Sequence, residues 1–284
     1  HPSMKPFIHL HTHSHYSLLN ALPKIPDLVK KAKELGQPAV ALTDDGNMYA
    51  TIEFYKECKK KEIKPIFGVD FFLASRTRFD KEPSVDERRF RIVLLAENIA
   101  GYKNLIKLVT ASNMEGFFHR PRIDHELLER YHEGLLAIIP AFNGETSGPL
   151  RTRDLERAGE RLDWYKKIFG EKNVYLEITH HPEIENHEEL VEEIKKFGSE
   201  TNTPLVATND VHYLHFEDKK AREVVLTIQN TTERDGGDEA GDFSFLSPKQ
   251  MEEYFADTKE ALENTIKIAD RCTVELELGT WTFP

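Results

Sequence analysis

The chain has 284 residues, 39% of them hydrophobic and 31% charged, with a formal net charge of −11. That length supports one large α/β domain or two smaller ones, and ordinary Gly and Pro counts of 15 and 14 exclude disorder and collagen-like repeats. The 49 acidic against 38 basic side chains argue against a nucleic-acid coat over the whole surface, and no run approaches the ~18 apolar residues of a membrane span.

In chain order, residues 1–3 read as a tag remnant before Met4, and no apolar stretch of signal-peptide type follows. Residues 7–10 predict a first strand. Ile25, Leu28, Val29, Ala32 and Leu35 then recur at helical spacing, predicting a helix over 25–35. Residues 38–42 predict a strand, 49–62 a helix and 65–69 a third strand. The run at 91–96 is a fourth strand, followed by a helix over 102–113. Strands at 135–139, 174–178 and 204–207 are followed by helices at 155–169, 187–200 and 221–229. Residues 233–242 form a Gly/Asp loop, and 248–254 and 258–272 are terminal helices. Lys56, Lys59, Lys60, Lys61 and Lys64 read as a solvated helix face. Cys58 and Cys272 are isolated, which excludes a disulfide framework and a zinc ribbon and fits a reducing cytoplasm.

The apolar runs are continuous rather than alternating, as in strands covered on both faces of a parallel sheet. Each is read as followed by a helical segment. Right-handed crossovers then give a doubly wound sheet or a closed barrel, and seven units over about 230 residues favour an irregular (β/α)7 TIM-like barrel.

In such folds chemistry gathers where strands end. Residues two apart in an extended segment share a face, so His9, His11, His13 and His15 are expected together, as are Asp210 and His212. With Asp70 after the third strand, these imidazoles and carboxylates suit zinc, manganese or iron. A single histidine here reads as structural; the joint pattern at several strand ends points to a metal. Asp44 reads as a turn cap or as support for a ligand. His180 and His181, followed at once by Pro182, read as an ordinary loop, and His119 as part of an aromatic anchor.

The string from His9 to Ser14, with Tyr16 to Leu19, resembles the first motif of the polymerase-and-histidinol-phosphatase (PHP) family. Asp44, Gly46 to Met48, Ile52 to Tyr55, Ile63 to Gly68, Gly101 to Ile106 and Val206 to Tyr213 are similar to later motifs of one branch. That branch is the N-terminal PHP domain of bacterial replicative DNA polymerase III alpha subunits.

The resemblance implies a seven-stranded PHP barrel over 4–232, with 233–284 leading toward a polymerase palm absent from these residues. It implies up to three zinc or manganese ions and, where sites are complete, a 3′–5′ exonuclease or phosphoesterase reaction. His11, His13, Asp70 and Asp210 match the first ion's ligands. Arg91 and Ala141 stand where the family has ligands to the second; alanine cannot coordinate, and a guanidinium does not deprotonate near neutral pH. The third ion would rest on Asn20, Asp45 and His212, a weaker set with a harder preference for manganese or magnesium. One or two ions are therefore expected rather than three, with the Arg91 cation replacing one of them beside Asp70. Asp210, His212 and Arg91 are the candidate catalytic residues. The expected role is mainly structural and docking, toward the rest of the alpha subunit, a proofreading exonuclease subunit and, through the full polymerase, the DNA primer–template. An active 3′–5′ exonuclease is the alternative, and a free-standing histidinol-phosphate-type phosphatase the second.

Overall fold

The computed structural model describes residues 7–228 and 240–279. The elements run α1 (Ile25–Glu34), β1 (Ala39–Leu42), α2 (Thr51–Lys61), β2 (Lys64–Ala74), β3 (Arg89–Ala96), α3 (Ile99–Met114), β4 (Arg122–Ile123), α4 (His125–Arg130) and β5 (Leu135–Ile139). Then come α5 (Ser147–Arg151), α6 (Leu155–Phe169), β6 (Val174–Ile178), α7 (His187–Glu200), β7 (Leu205–Ala207), α8 (Lys219–Ile228), α9 (Pro248–Tyr254) and α10 (Lys259–Arg271). Caps set several boundaries: the Asp124 and Asp154 side chains accept from the Leu127 and Arg157 amides, and Ser247 and Gln250 form a capping box on α9. Residues 1–3, expected as a tag remnant, and residues 233–239 of the Gly/Asp loop lie outside the described residues.

The sheet has seven strands in the order β1-β2-β3-β5-β6-β7, with β4 on the edge of β2 that β1 also occupies. Residues 7–10, expected as a strand, instead belong to an extended segment over 7–13 that closes the curl by single hydrogen bonds. The Ala41 amide donates to His9 O and the Thr43 amide to Thr12 O; on the other side Val211 N donates to His11 O and His13 N to Val211 O. Within this segment only Thr12 forms a β-bridge, with Val211.

Two further expectations are corrected. β3 runs antiparallel to both β2 and β5. β2, eleven residues long, passes to β3 through a loop over 75–88 with no helix. A continuous apolar run marks a strand buried on both faces but does not fix its direction. The short β4, α4 and α5 were not foreseen, since two to six residues carry too little periodicity.

Two apolar layers result. The outer one, between strands and helices, contains Leu28, Phe54, Val69, Leu105, Leu162 and Ile194. The inner one fills the barrel with Ile8, Leu10, Ala41, Ile66, Val93, Leu95, Ile138 and Val206, and α10 adds Ile268 and Ala269, with Cys272 just beyond it. α10 lies across the end where the parallel strands begin. The Asn264 side chain donates to Leu205 O at 2.7 Å, the Ile8 amide to Thr265 Oγ1 at 3.2 Å, and Lys64 Nζ to Ala269 O at 2.5 Å. Lys64 thus clamps this floor, whereas Lys56, Lys59 and Lys60 are exposed, as a solvated face requires.

Candidate metal centre

The rim opposite α10 gathers the polar residues. His11 and His13 end the closing segment, Asp44 and Asp45 follow β1, Asp70 lies in β2, Arg91 in β3, Glu177 in β6, and Asp210 and His212 follow β7. Because β3 is antiparallel, Arg91 reaches this rim from near the start of its strand.

Four residues converge: His11, His13, Asp70 and Asp210 are buried, each with a ligand atom within 4.8 Å of the others. His11 Nε2 lies 2.8 Å from Asp70 Oδ2 and 3.2 Å from Asp210 Oδ1, and His13 Nε2 lies 3.0 Å from Asp70 Oδ2. The opposite ring nitrogens are occupied. His11 Nδ1 donates to Glu177 Oε2 at 2.6 Å, and His13 Nδ1 to the Val211 carbonyl at 2.9 Å. Both Nε2 atoms therefore face the carboxylates, where each would offer a lone pair once a cation takes the place of its proton. Asp210 Oδ1 is buried without a hydrogen-bond partner, and Asp210 itself has left-handed backbone (φ 47°). A buried, unpartnered carboxylate oxygen beside two inward-facing ring nitrogens is the donor chemistry of a divalent ion, so these residues fit one.

Electrostatics agrees. Burial opposes the charge on Asp70, but Arg91 and His11 outweigh it and hold the carboxyl well below the usual range. Burial disfavours the His11 cation, yet Asp210, Glu177 and Asp70 together push its pKa well above the ordinary value. Burial pushes the Asp210 carboxyl up to about 6, only partly offset by His11 and His13. The pocket is starved of positive charge.

Arg91 supplies some. Its Nε donates to Asp70 Oδ1 at 2.9 Å, while Nη2 lies 2.9 Å from Asp70 Oδ2 and donates to Asp45 Oδ1. The guanidinium stacks over Phe72 at 4.2 Å. The expected pairing with Asp70 is present and extends to Asp45.

Asn20, Asp45 and His212 sit beside the cluster but are tied together. Asn20 Nδ2 donates to Asp45 Oδ2 at 2.6 Å and lies 3.3 Å from His212 Nε2. Arg222 fixes the orientation of that amide, since its Nη2 donates to Asn20 Oδ1 at 3.0 Å and its Nε to Asn20 O at 2.9 Å. The amide nitrogen, which cannot ligate, thus occupies the middle of the trio. The His212 ring stacks on His13 at 4.1 Å, and its Nδ1 donates to Asp210 O at 2.7 Å.

His9 and His15 are not at the centre. Ile8 and Leu10 face the inner layer, leaving His9 outward, where Nε2 donates to Leu246 O at 2.8 Å. The alternation breaks after Leu10, which brings His11 inward. His15 opens the turn that follows and faces the Pro23 carbonyl at 3.2 Å. Asp44 is a support: it accepts from the Ser14 amide and from the Ser14 and Ser17 hydroxyls at 2.6 to 2.8 Å. Sequence reasoning missed Glu177. Its signal was a carboxylate inside the otherwise apolar strand VYLEI.

Over residues 9–181 the chain matches the PHP domain model. It belongs to the PHP domain family. Two curated relatives are DNA polymerase III alpha subunits. That of Borreliella burgdorferi is 40% identical over 94% of this chain and 24% of its own length, and that of Campylobacter jejuni 37% identical over 99% and 24%. This PHP domain thus spans about a quarter of the length of the relatives it matches. A solved two-domain protein from Bacteroides vulgatus, described as containing a predicted PHP-like metal-dependent phosphoesterase, overlays with a TM-score of 0.44 at 12% identity, covering 73% of this chain and 52% of that one. Among the described residues no helix is long and apolar enough to cross a membrane.

Proposed function

We propose that this PHP domain is a one-ion barrel of phosphoesterase type, serving mainly as a structural and docking part of a DNA polymerase III alpha-type subunit. One observation carries the reading: four ligand atoms converge beside a guanidinium that bonds the same aspartate. His11, His13, Asp70 and Asp210 would hold the ion, and two imidazoles with two carboxylates favour zinc or manganese over magnesium. When bound, the ion supplies Lewis-acid charge to a phosphoryl oxygen.

The chain's own residues limit what else happens there. Arg91 stabilises Asp45 and Asp70 and can donate to a phosphate oxygen, but it stays protonated and activates no water. Ala141 offers no side-chain ligand, and its amide donates to Glu177 Oε1 at 3.1 Å. The Asn20 amide closes the Asp45–His212 side. Weak or absent 3′–5′ exonuclease activity follows. The partners in this reading are the remainder of the alpha subunit and a proofreading exonuclease subunit, with the primer–template met through the whole polymerase.

Elemental analysis of the purified chain, with manganese-dependent digestion of a 3′-ended primer by wild type and Asp210→Ala, tests this. The expected result is one ion per wild-type chain and equal, near-background digestion. Three ions per chain, or digestion that depends on Asp210, would overturn it in favour of an active exonuclease.

A further inference from the structure

Glu177 is a charged residue at the inner face of β6, 1% exposed. A carboxylate so placed is costly unless every lone pair in reach is used. Here Oε2 accepts from His11 Nδ1 at 2.6 Å and from Thr208 Oγ1 at 2.7 Å, and Oε1 accepts from the Ala141 amide at 3.1 Å. The donors come from the closing segment, from the residue after β7 and from the second residue after β5. Glu177 therefore joins three strand ends of the rim while touching only the back of His11. Both its oxygens are engaged away from the Asp70–Asp210 pole, so it is no ligand.

We infer that Glu177, held by Thr208, is the positioning residue of the metal centre: it holds the His11 Nδ1–H, leaves Nε2 as the ligand nitrogen and strengthens it. The inference rests on the one-ion reading above for its ligand, but its geometry stands without one. An imidazole whose second nitrogen donates to a carboxylate is oriented and made more basic, which strengthens its bond to borderline ions such as zinc and manganese. His13, whose Nδ1 donates to a neutral carbonyl instead, lacks that polarisation. The two histidines of one H-x-H pair are thus unequal, with His11 the stronger donor.

Three variants of this chain test this: Glu177→Gln, which keeps the shape but removes the charge; Thr208→Val, which removes only the hydroxyl holding Oε2; and His13→Gln for comparison. Zinc and manganese affinities are measured by calorimetry, and the His11 ring nitrogens are followed by 15N NMR in the metal-free protein, with circular dichroism reporting folding. Glu177→Gln is expected to weaken zinc binding about 10- to 100-fold and to shift the His11 Nδ1–H resonance upfield. Thr208→Val should move both in the same direction by less, and His13→Gln should leave the His11 Nδ1–H resonance in place.

If Thr208→Val and a folded Glu177→Gln bind zinc like wild type and leave the His11 resonances unmoved, Glu177 is only a structural brace and the inference is overturned. Should Glu177→Gln fail to fold, Thr208→Val alone decides. If wild type binds no divalent ion, the one-ion reading fails, while the metal-free His11 spectra still decide the positioning role.

Discussion

The two ends of this barrel are built on opposite principles. At the floor, Ile268 and Ala269 of α10 and Cys272 just beyond it close against Ile8, Leu10, Ala39 and Ile66, all buried, with a few polar clasps around them. At the rim, Asp70, Asp210 and Glu177 are buried and Asp45 is half-buried, and the Arg91 guanidinium bonds Asp45 and Asp70. The floor gains from apolar burial, about 25 cal/mol per Å² removed from water; the rim holds like charges together and gains only if a cation joins them. The contrast teaches that stability and chemistry are carried by different ends of the same strands.

The largest effect should come from breaking the floor. Ile268→Asp puts an unpaired carboxylate into the interior and leaves the volume of an isoleucine unfilled. Urea unfolding should show a loss of more than about 4 kcal/mol, or no folded protein at all. A loss under ~1 kcal/mol would mean that α10 is an accessory rather than part of the folding unit.

At the rim the sign should reverse. The Asp210 carboxyl, pushed by burial to about 6, binds its proton more tightly folded than unfolded. Between its ordinary value and about 6 the folded state therefore holds more protons, so stability falls as pH rises through that window. Above it the full penalty persists. In metal-free protein at pH 7, Asp210→Asn should gain up to ~3 kcal/mol, and the gain should vanish near pH 4. Asparagine also tolerates the left-handed backbone at this position (φ 47°). The same variant should lose its ion. A metal-free Asp210→Asn no more stable than wild type would show that the rim carries no strain.

The sequence made the floor and the rim legible to different degrees. The strands Leu135–Ile139 and Val174–Ile178 and the helices Leu155–Phe169 and His187–Glu200 match their sequence-based bounds, because an apolar run or a 3.6-residue repeat states its own length. α10 reads as a helix by the same logic, but its place across the barrel does not, since periodicity names a buried face and not what covers it. At the rim, the convergence of His11, His13, Asp70 and Asp210 follows from residue types at strand ends. Alternation alone wrongly groups His9 and His15 with them, because the backbone changes face after Leu10. Glu177 escaped notice because a lone carboxylate in a strand has no spacing to report.

The smallest effect concerns His9, which lies between the two ends and belongs to neither. Burial lowers its pKa to about 4, against a weaker opposing pull from its hydrogen bond to the Leu246 carbonyl. Its ring sits between Phe7 and Phe245, with centroids 4.7 and 4.1 Å away. Between about 4 and the ordinary histidine value near 6.5, the unfolded chain holds a proton that the folded chain refuses. Stability must therefore fall as pH drops through that window, the part due to His9 reaching about 2 kcal/mol at pH 5. Other buried groups titrate over the same range, so the measurement is a difference: urea unfolding of wild type and His9→Gln at pH 7 and pH 5. Glutamine keeps a donor for Leu246 but takes up no proton, so the variant should lose less stability on acidification, by that amount. If the two proteins weaken in parallel, His9 is free to charge in the folded state, and the aromatic wall around it is looser than its contacts imply.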